Sequence, residues 1–303
     1  MLRDILFRPY ISTKFLTLPC IIFIEIFQQI LFRKLLSFYV QSSLHVGLAV
    51  VSLMAITHLE FDLTLGFPLV FFVFCSTVLT YNFIKYATAA PSFFYVIGWR
   101  QKSIRALSYF CGFVCFLCCF YLPAPTLWVA IGLGVISFLY VFPLTSKIQS
   151  FRHVKHLKII IVAVVWASTT AVLPLVTFQL TLTWCHLIFW CVFFFWTLAT
   201  MVPFEIRDIK WDDPSMRTLP HSIGIRGAKV VGFFSILCVF FIELWYHKWT
   251  WSSMIGTGLV CLVTLCMLYA SKPKQSRYYA AFWVEALPVL WVLVKWIESE
   301  LRF

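Results

Sequence analysis

The stretch PFEIRDIKWDDPSMRTLPHSIG, at positions 203–224, decides how this chain is interpreted. It holds four carboxylates, although the whole chain has only 12 Asp and Glu residues. It directly follows an apolar segment that is long enough to cross a bilayer. Acidic side chains at the end of a membrane helix are costly, so they indicate a functional site by default. The carboxylates are Glu205, Asp208, Asp212 and Asp213, and the basic residues among them are Arg207, Lys210 and Arg217.

The rest of the chain has the composition of an integral membrane protein. Of its 303 residues, 62% are hydrophobic, 19% are aromatic and only 12% are charged, and the mean hydropathy is +0.91. A soluble protein carries about 25% charged residues. The apolar runs are continuous and do not alternate with polar residues. The sequence therefore predicts an all-α integral membrane protein and excludes a transmembrane barrel.

Nine apolar segments are close to the length of about 20 residues that a bilayer core requires. Before them, Thr17–Phe32 is interrupted by polar residues, so we expect an interfacial or lead-in helix there, with an extra span or the start of a long first helix as alternatives. The predicted domains are thus a lead-in segment, 1–41, and a nine-helix membrane domain, 42–303. The predicted spans lie near Ser42–Thr57, Thr64–Ile84, Ile104–Leu122, Pro125–Pro143, Lys158–Phe178, Thr183–Pro203, Gly227–Leu244, Ser252–Ala270 and Tyr278–Trp296.

Basic residues are confined to alternate loops. Sixteen of the 24 Lys and Arg residues lie in the loops after predicted spans 2, 4, 6 and 8 or in the first three residues of the span that follows, whereas the other four loops hold only Lys248. Short cytoplasmic loops carry such an excess. The sequence therefore predicts a multi-pass protein of the cell's inner (plasma) membrane, with its N-terminus and the loop at 203–224 in the cytoplasm. These loops also explain the net charge of +12, and no nucleic-acid partner is expected.

The spacing of the carboxylates suits a metal site. If the sixth span continues into the loop, Glu205, Asp208 and Asp212 stand at positions i, i+3 and i+7 on one helix face. Mg²⁺ takes one or two carboxylates and completes its coordination with water and substrate phosphates. The spacing therefore predicts a Mg²⁺–diphosphate site. The alternative is a solvated, salt-bridged loop, with Asp208 paired to Arg207 or Lys210 and Asp212 paired to Arg217.

The same segment resembles the second aspartate-rich motif of the UbiA-type intramembrane prenyltransferases. That motif is roughly (N/D)-x-x-x-D-x-x-x-D, followed by a basic residue, T-L-P and a glycine. Asp208 and Asp212 stand at its two aspartate positions, whereas Phe204 and Glu205 replace the residue expected at its start. The similarity continues through Arg217, Thr218, Leu219, Pro220 and Gly224.

Further features extend the resemblance over most of the chain. Nine helices with cytoplasmic loops after the second, fourth and sixth are similar to that family's architecture, which implies a bundle around a central cavity open to the membrane. The sequence YVFPL at 140–144, followed by Lys147 and Lys158, is similar to the family's Y-x-x-P-L…K pattern. The family's first motif, N-x-x-x-D-x-x-x-D, is degenerate, because Asn82 is followed by Tyr86 and Ala90 at the aspartate positions.

The resemblance implies an enzyme that transfers a prenyl group from a prenyl diphosphate to an aromatic or quinone-precursor acceptor within the membrane. Its implied partners are the prenyl diphosphate, a hydrophobic acceptor and membrane lipid, and its implied cofactor is Mg²⁺. The implied metal ligands are Asp208, Asp212 and Glu205. The residues expected in catalysis are Asp208, Asp212, Lys85 (as a replacement for the lost metal charge) and Asn82, and those expected to bind substrate are Arg217, Lys158, Tyr140, Arg207 and Lys147.

Other interpretations stay open. Because Tyr86 and Ala90 replace the first-motif aspartates, the chain could be a non-catalytic UbiA-like membrane protein that binds an isoprenoid or another lipid. A transporter with a similar bundle is a third hypothesis. Unbroken, glycine-poor helices without visible repeats disfavour it, since many transporters are built from repeats with interrupted helices.

Overall fold

Ten helices make up the regular structure of the described residues when each membrane span is counted once, and no strand occurs among them. The structure is a computed structural model that describes residues 14–64, 66–87, 98–142, 157–211, 218–247 and 250–300, with the backbone alone for 14–27 and 87. The helices are α1 (Lys14–Gln41), α2 (Leu44–Glu60), α3 (Phe67–Ala87), α4 (Trp99–Cys119), α5 (Ala124–Val141), α6 (Leu157–Thr177), α7 (Trp184–Asp208), α8 (Leu219–Tyr246), α9 (Trp251–Ala270) and α10 (Tyr279–Glu300).

Eight of the described helices, α3 to α10, are long and apolar enough to cross a membrane. A ninth span is present if α2 and the last part of α1 count as one broken span. The predicted all-α, multi-pass architecture is therefore confirmed. The helix ends were predicted too short near the loop at 203–224, where α7 runs on to Asp208 and α8 already begins at Leu219. Hydropathy marks only the apolar part of a helix, whereas backbone hydrogen bonding continues into polar residues at the membrane surface.

A bend of 60° separates the last part of α1 from α2. Lys85 Nζ donates a hydrogen bond of 2.9 Å to Ser43 Oγ at this bend. The Tyr86 hydroxyl donates to the carbonyl oxygen of Gln41 at 3.0 Å, and Arg100 donates to the Gln41 side chain at 3.2 Å. Tyr86 thus satisfies one of the carbonyl groups that lack a partner at a helix C-terminus. The predicted lead-in helix is present and longer than expected, while its place at the interface and the domain boundary stay predictions.

Two π-helical stretches and one kink interrupt the described helices. The π-helical stretches are Ser168–Val172 in α6 and Tyr279–Val284 in α10, and α8 is kinked at Gly224, where φ is 74° and ψ is 167°. Such π-helical turns are rare and often occur at functional sites. The stretch in α6 follows closely after Trp166, and the stretch in α10 directly precedes Glu285. Trp166 and Glu285 both line a cavity that is described below.

Charged side chains are buried together where α2, α8 and α10 end. Lys295 Nζ lies 2.6 Å from Glu243 Oε2 and 4.0 Å from both Glu60 and Glu298. His247 Nε2 lies 3.4 Å from Glu60. Glu243 is 1% exposed and Lys295 is 5% exposed. Because buried charges are tolerated only when they are paired, these five residues, called the far-end cluster, join the ends of three helices.

Candidate active site

The other end of the bundle holds those motif residues of α7 and α8 that the structure describes. Here the end of α7 is joined to the start of α8. His221 Nε2 bonds to the carbonyl oxygen of Ile209 at 3.1 Å, and its Nδ1 bonds to Thr218 Oγ1 at 2.7 Å. Gln275, in the loop before α10, donates to the carbonyl oxygen of Pro203 in α7 at 3.1 Å. These bonds bring α7, α8 and the start of α10 together at one end of the protein.

Asp208 and Arg207 form an ion pair at the end of α7. Arg207 Nε donates to Asp208 Oδ1 at 2.7 Å and Nη2 donates to Oδ2 at 3.1 Å. The side chains are 32% and 28% exposed, and the Phe204 ring centroid lies 5.1 Å from the guanidinium carbon. The salt-bridge alternative is thus what the structure shows for Asp208. A pair this exposed contributes about 1 kcal/mol or less, so a charged ligand can displace it at low cost.

Glu205 is paired with a different cation. Lys158 Nζ of α6 lies 2.8 Å from Glu205 Oε1, and the side chains are only 11% and 2% exposed. Glu205 and Asp208 were expected on one helix face, but the structure gives them separate partners on α6 and α7. A role of Glu205 as a metal ligand stays a prediction, and the buried ion pair already balances its charge.

Lys85 and Asn82 of α3 also differ in their partners. Asn82 is 1% exposed, and its Nδ2 donates to Ser108 Oγ of α4 at 3.1 Å. Lys85 is bonded to the bend between α1 and α2, as described above, and lies close enough to Glu285 and Arg207 for electrostatic interaction. Lys85 is therefore bonded to the bend between α1 and α2 and interacts electrostatically with charged groups of α7 and α10, whereas Asn82 joins α3 to α4.

A cavity of about 130 Å³, called the site cavity, lies between α3, α5, α6, α7 and α10. Tyr140, which was expected to bind substrate, is 7% exposed and forms part of its lining. Trp166 Nε1 donates a hydrogen bond of 2.7 Å to the Tyr81 hydroxyl. This pair also borders a second cavity of about 110 Å³. The aromatic and polar lining of the site cavity includes Tyr81, Tyr140, Trp166, Trp196, Thr197 and Glu285.

Glu285 is a site residue that the sequence patterns did not reveal. It lies at the break in α10 that follows the π-helical stretch, and it lines the site cavity. Lys85 and Arg207 are close enough to interact with it electrostatically. The signal in the sequence was a single acidic residue within the apolar segment Tyr278–Trp296, where a carboxylate is costly. Its partners come from α3 and α7, so no local spacing linked them to it.

The donor set fits Mg²⁺ only together with a ligand. Among the described residues, no group of three or more His, Cys, Asp or Glu side chains could hold a metal ion. Mg²⁺ is usually bound by one or two carboxylates plus substrate phosphates, so Asp208 with one further carboxylate and a diphosphate is sufficient. Asp212, Arg217, Lys147 and Ala90 lie outside the described residues.

Solved structures of UbiA homologues share this fold. The apo structure of a UbiA homologue from Aeropyrum pernix K1 matches with a TM-score of 0.59 and 12% sequence identity, over 84% of this chain and 98% of that chain. A UbiA homologue from Archaeoglobus fulgidus bound to GPP and Mg²⁺ matches with a TM-score of 0.51 and 10% identity, over 86% and 96%. No protein-family model and no curated protein sequence matches. The chain is therefore a multi-pass membrane protein with the UbiA-type fold, as its motifs predicted.

Proposed function

We propose that this protein transfers a prenyl group from a prenyl diphosphate to an aromatic or quinone-precursor acceptor inside the membrane. The observation that carries the proposal is the pair of Arg207 and Asp208 beside an aromatic-lined cavity. Phe204 lines this cavity, and its ring centroid lies 5.1 Å from the guanidinium carbon of Arg207. A diphosphate requires cations and a prenyl chain requires apolar surroundings, so a single substrate matches both. A structural neighbour with the same fold is bound to GPP and Mg²⁺, which supports this choice of substrate.

The charged residues have distinct roles in the proposal. Asp208 and Asp212 would hold Mg²⁺ together with the diphosphate, and the ion would supply charge neutralisation for the leaving group. Arg207 exchanges Asp208 for a phosphate oxygen, since guanidinium groups bind phosphate through two parallel hydrogen bonds. Lys85 supplies the positive charge that a complete first motif would add through a metal, because an ammonium group neutralises phosphate as a point charge. Further proposed contacts are Arg217, Lys158 and Lys147 to the diphosphate and Asn82 to a phosphate or a water.

The reaction needs stabilisation of two opposite charges. The allylic C–O bond breaks, the diphosphate leaves with the electron pair, and positive charge develops on the allylic carbon. The faces of the Tyr81 and Tyr140 rings stabilise a nearby cation through their quadrupoles. The apolar lining of the site cavity also excludes water, which would otherwise capture the cation.

A non-catalytic lipid-binding protein is the second candidate. The observation that favours it is Tyr86, which replaces a first-motif aspartate and is engaged in a hydrogen bond to Gln41 at the end of α1. A chain that had lost one metal cluster could keep the cavity for an isoprenoid and lose turnover. The two candidates differ in whether binding depends on Mg²⁺ and the diphosphate.

The first test is the binding of geranyl diphosphate to the purified protein in detergent, with and without Mg²⁺. We expect binding that strengthens with Mg²⁺, and we expect Asp208→Asn to remove most of that dependence because it removes a negatively charged ligand. The matched control is Asp62→Asn, the same change at an exposed residue outside the site. Asp62 has a φ of 51°, which asparagine tolerates.

Each outcome separates the candidates. Retention of Mg²⁺-dependent binding in Asp208→Asn would refute the metal role of this residue. Equal binding of geraniol and geranyl diphosphate, with no effect of Mg²⁺, would favour the lipid-binding protein. Weaker binding in both Asp208→Asn and Asp62→Asn would indicate a general loss of folded protein.

A further inference from the structure

A groove on the outside of the bundle, called the α8–α9 groove, lies between these two helices. Its volume is about 430 Å³, and among the described residues it shares no lining residue with the site cavity. The helices approach closely here, because a Cβ on Gly232 of α8 would meet Leu268 of α9 at 2.8 Å. Val230 and Phe233 line the groove and are 52% and 43% exposed. The α8–α9 groove is therefore an apolar surface that faces lipid and is separate from the candidate active site.

Basic side chains gather at one end of the α8–α9 groove. Lys229 lines it, and its Nζ donates to the carbonyl oxygen of Tyr269, in the last turn of α9, at 2.6 Å. Lys272 follows the end of α9 and is near enough to Lys229 for the two positive charges to repel each other. Arg226 precedes Lys229 by three residues and therefore lies on the same face of α8. No carboxylate in the described part of the chain forms a salt bridge with any of these three cations.

This basic end of the groove lies at the surface of the membrane. The spanning helix α9 ends at Ala270, and the end of an apolar span marks the edge of the hydrocarbon core. Tyr269 is 84% exposed at this level, as is typical of aromatic residues in the interfacial belt. The ammonium group of Lys229 is bonded to Tyr269, so it lies at the depth of the lipid phosphate groups. The apolar walls of the groove lie deeper, beside the acyl chains.

A single kind of ligand matches both parts of this surface. An ammonium group has three N–H donors, and the bond to Tyr269 uses only one of those on Lys229, so two can donate to a phosphate. A phosphate would also relieve the repulsion between Lys229 and Lys272. Hydrocarbon chains match the apolar walls, and basic pockets between membrane helices are typical sites for anionic lipid headgroups.

We propose that the α8–α9 groove binds an anionic glycerophospholipid. Its phosphate lies at Lys229 and Lys272, with further positive charge from Arg226, and the upper parts of its acyl chains lie against Val230 and Phe233. The lining covers about one turn of each helix, or about 6 Å, so the rest of each chain continues along the lipid-facing surface. This inference does not depend on prenyl transfer, because the groove and the site cavity have separate linings.

The test is native mass spectrometry of the full-length protein in detergent, with added dioleoylphosphatidylglycerol or dioleoylphosphatidylcholine. The two lipids have the same chains and differ in the net charge of the headgroup. We expect phosphatidylglycerol to bind about fivefold more tightly or better, and we expect Lys229→Met to remove most of this preference, since one basic residue near a membrane surface contributes roughly that factor. Lys229→Arg should keep the preference. Lys102→Met, which removes an exposed lysine of α4, is the matched control and should also keep it.

Val230→Phe tests the apolar part of the site. The larger side chain fills part of the groove, so we expect both lipids to bind about three- to tenfold more weakly. Val135→Phe on α5 is the matched control, because Val135 is 51% exposed, Val230 is 52% exposed, and Val135 does not line the groove. Thermal unfolding in detergent gives a second readout. Added phosphatidylglycerol should raise the unfolding temperature of wild type more than that of Lys229→Met, because a ligand of the folded state stabilises it.

Four results would overturn the proposal. The first is equal binding of the two lipids by wild type. The second is an equal loss of preference in Lys102→Met and Lys229→Met, which would assign the preference to the whole basic surface. The third is displacement of the lipid by glycerol 3-phosphate at a concentration similar to that of the lipid, which would show that the chains contribute nothing. The fourth is a wild-type dimer that Val230→Phe abolishes, which would identify a second copy of this chain as the occupant.

Discussion

Glu205 and Asp208 are separated by one helical turn of α7, yet different cations bind them. Lys158 holds Glu205 in a pair that is almost fully buried, and Arg207 holds Asp208 in a pair that is partly exposed. A ligand can displace the partner in the exposed pair of Arg207 and Asp208 more easily, because water and salt weaken the attraction between exposed charges. At the scale of residues, therefore, Asp208 is accessible to a metal and a substrate, whereas Glu205 forms a buried ion pair that links α6 to α7.

Glu205→Gln tests this distinction. Loss of one partner leaves Lys158 charged and buried, so we expect the free energy of unfolding to fall by about 3–5 kcal/mol. The double variant Glu205→Gln, Lys158→Met should recover part of this loss, since no buried charge is left unpaired. Thermal unfolding in detergent measures both effects. In the single variant Glu205→Gln, which keeps Lys158, the Mg²⁺ concentration needed for geranyl diphosphate binding should not change, and a large increase in the folded variant would instead identify Glu205 as a metal ligand.

Some residue roles could be predicted from the sequence and others could not. The pairing of Asp208 with Arg207 was one of two stated alternatives, because the two residues are adjacent. Glu285 was not predicted as a site residue, because the cations that interact with it electrostatically, Lys85 and Arg207, lie on helices that are distant in the sequence.

At the scale of elements, apolar runs located the membrane helices but not their irregularities. The length of an apolar run reports the thickness of the bilayer, so the spans were predicted with errors of a few residues at their ends. The π-helical stretch before Glu285 and the kink at Gly224 depend on packing and on single backbone angles. Hydropathy contains no information about either.

Gly224→Ala tests the kink near the start of α8. The backbone at Gly224 has φ 74° and ψ 167°, a region that residues with a side chain avoid at a cost of about 1–3 kcal/mol. An added Cβ would meet no atom within 4 Å, so strain alone should lower stability in a thermal unfolding experiment. Gly132→Ala, at an exposed position inside α5, is the control and should be neutral or slightly stabilising. Equal stability of the two variants would contradict a strained role for Gly224.

At the scale of the whole molecule, the far-end cluster closes the bundle opposite the site. It joins the ends of α2, α8 and α10, which carry Glu60, Glu243 and Lys295 respectively. Gly256 of α9 has no side chain at the place where the Glu298 carboxylate approaches. The sequence did not predict this cluster, because its members are spread over three helices and only the tertiary fold brings them together.

Lys295→Met tests how much the cluster contributes. The substitution keeps an unbranched side chain that is one atom shorter, but it leaves Glu243, which is 1% exposed, without its closest cation. We expect the free energy of unfolding to fall by about 3–5 kcal/mol, with a corresponding loss of folded protein in the membrane. Lys272→Met, at an exposed residue, is the control and should unfold like wild type. If both variants unfold alike, the cluster contributes little to the stability of the bundle.

The hydrogen bond from Tyr86 to the end of α1 has a consequence for any attempt to complete the first motif by mutation. An ionised aspartate at position 86 has no proton to donate and is too short to reach where a tyrosine hydroxyl reaches. Tyr86→Asp would therefore add a carboxylate at the motif position and remove one attachment of the N-terminal helix in the same step. A second substitution that restores this attachment would have to accompany it, so that a change in activity is not confused with a change in stability.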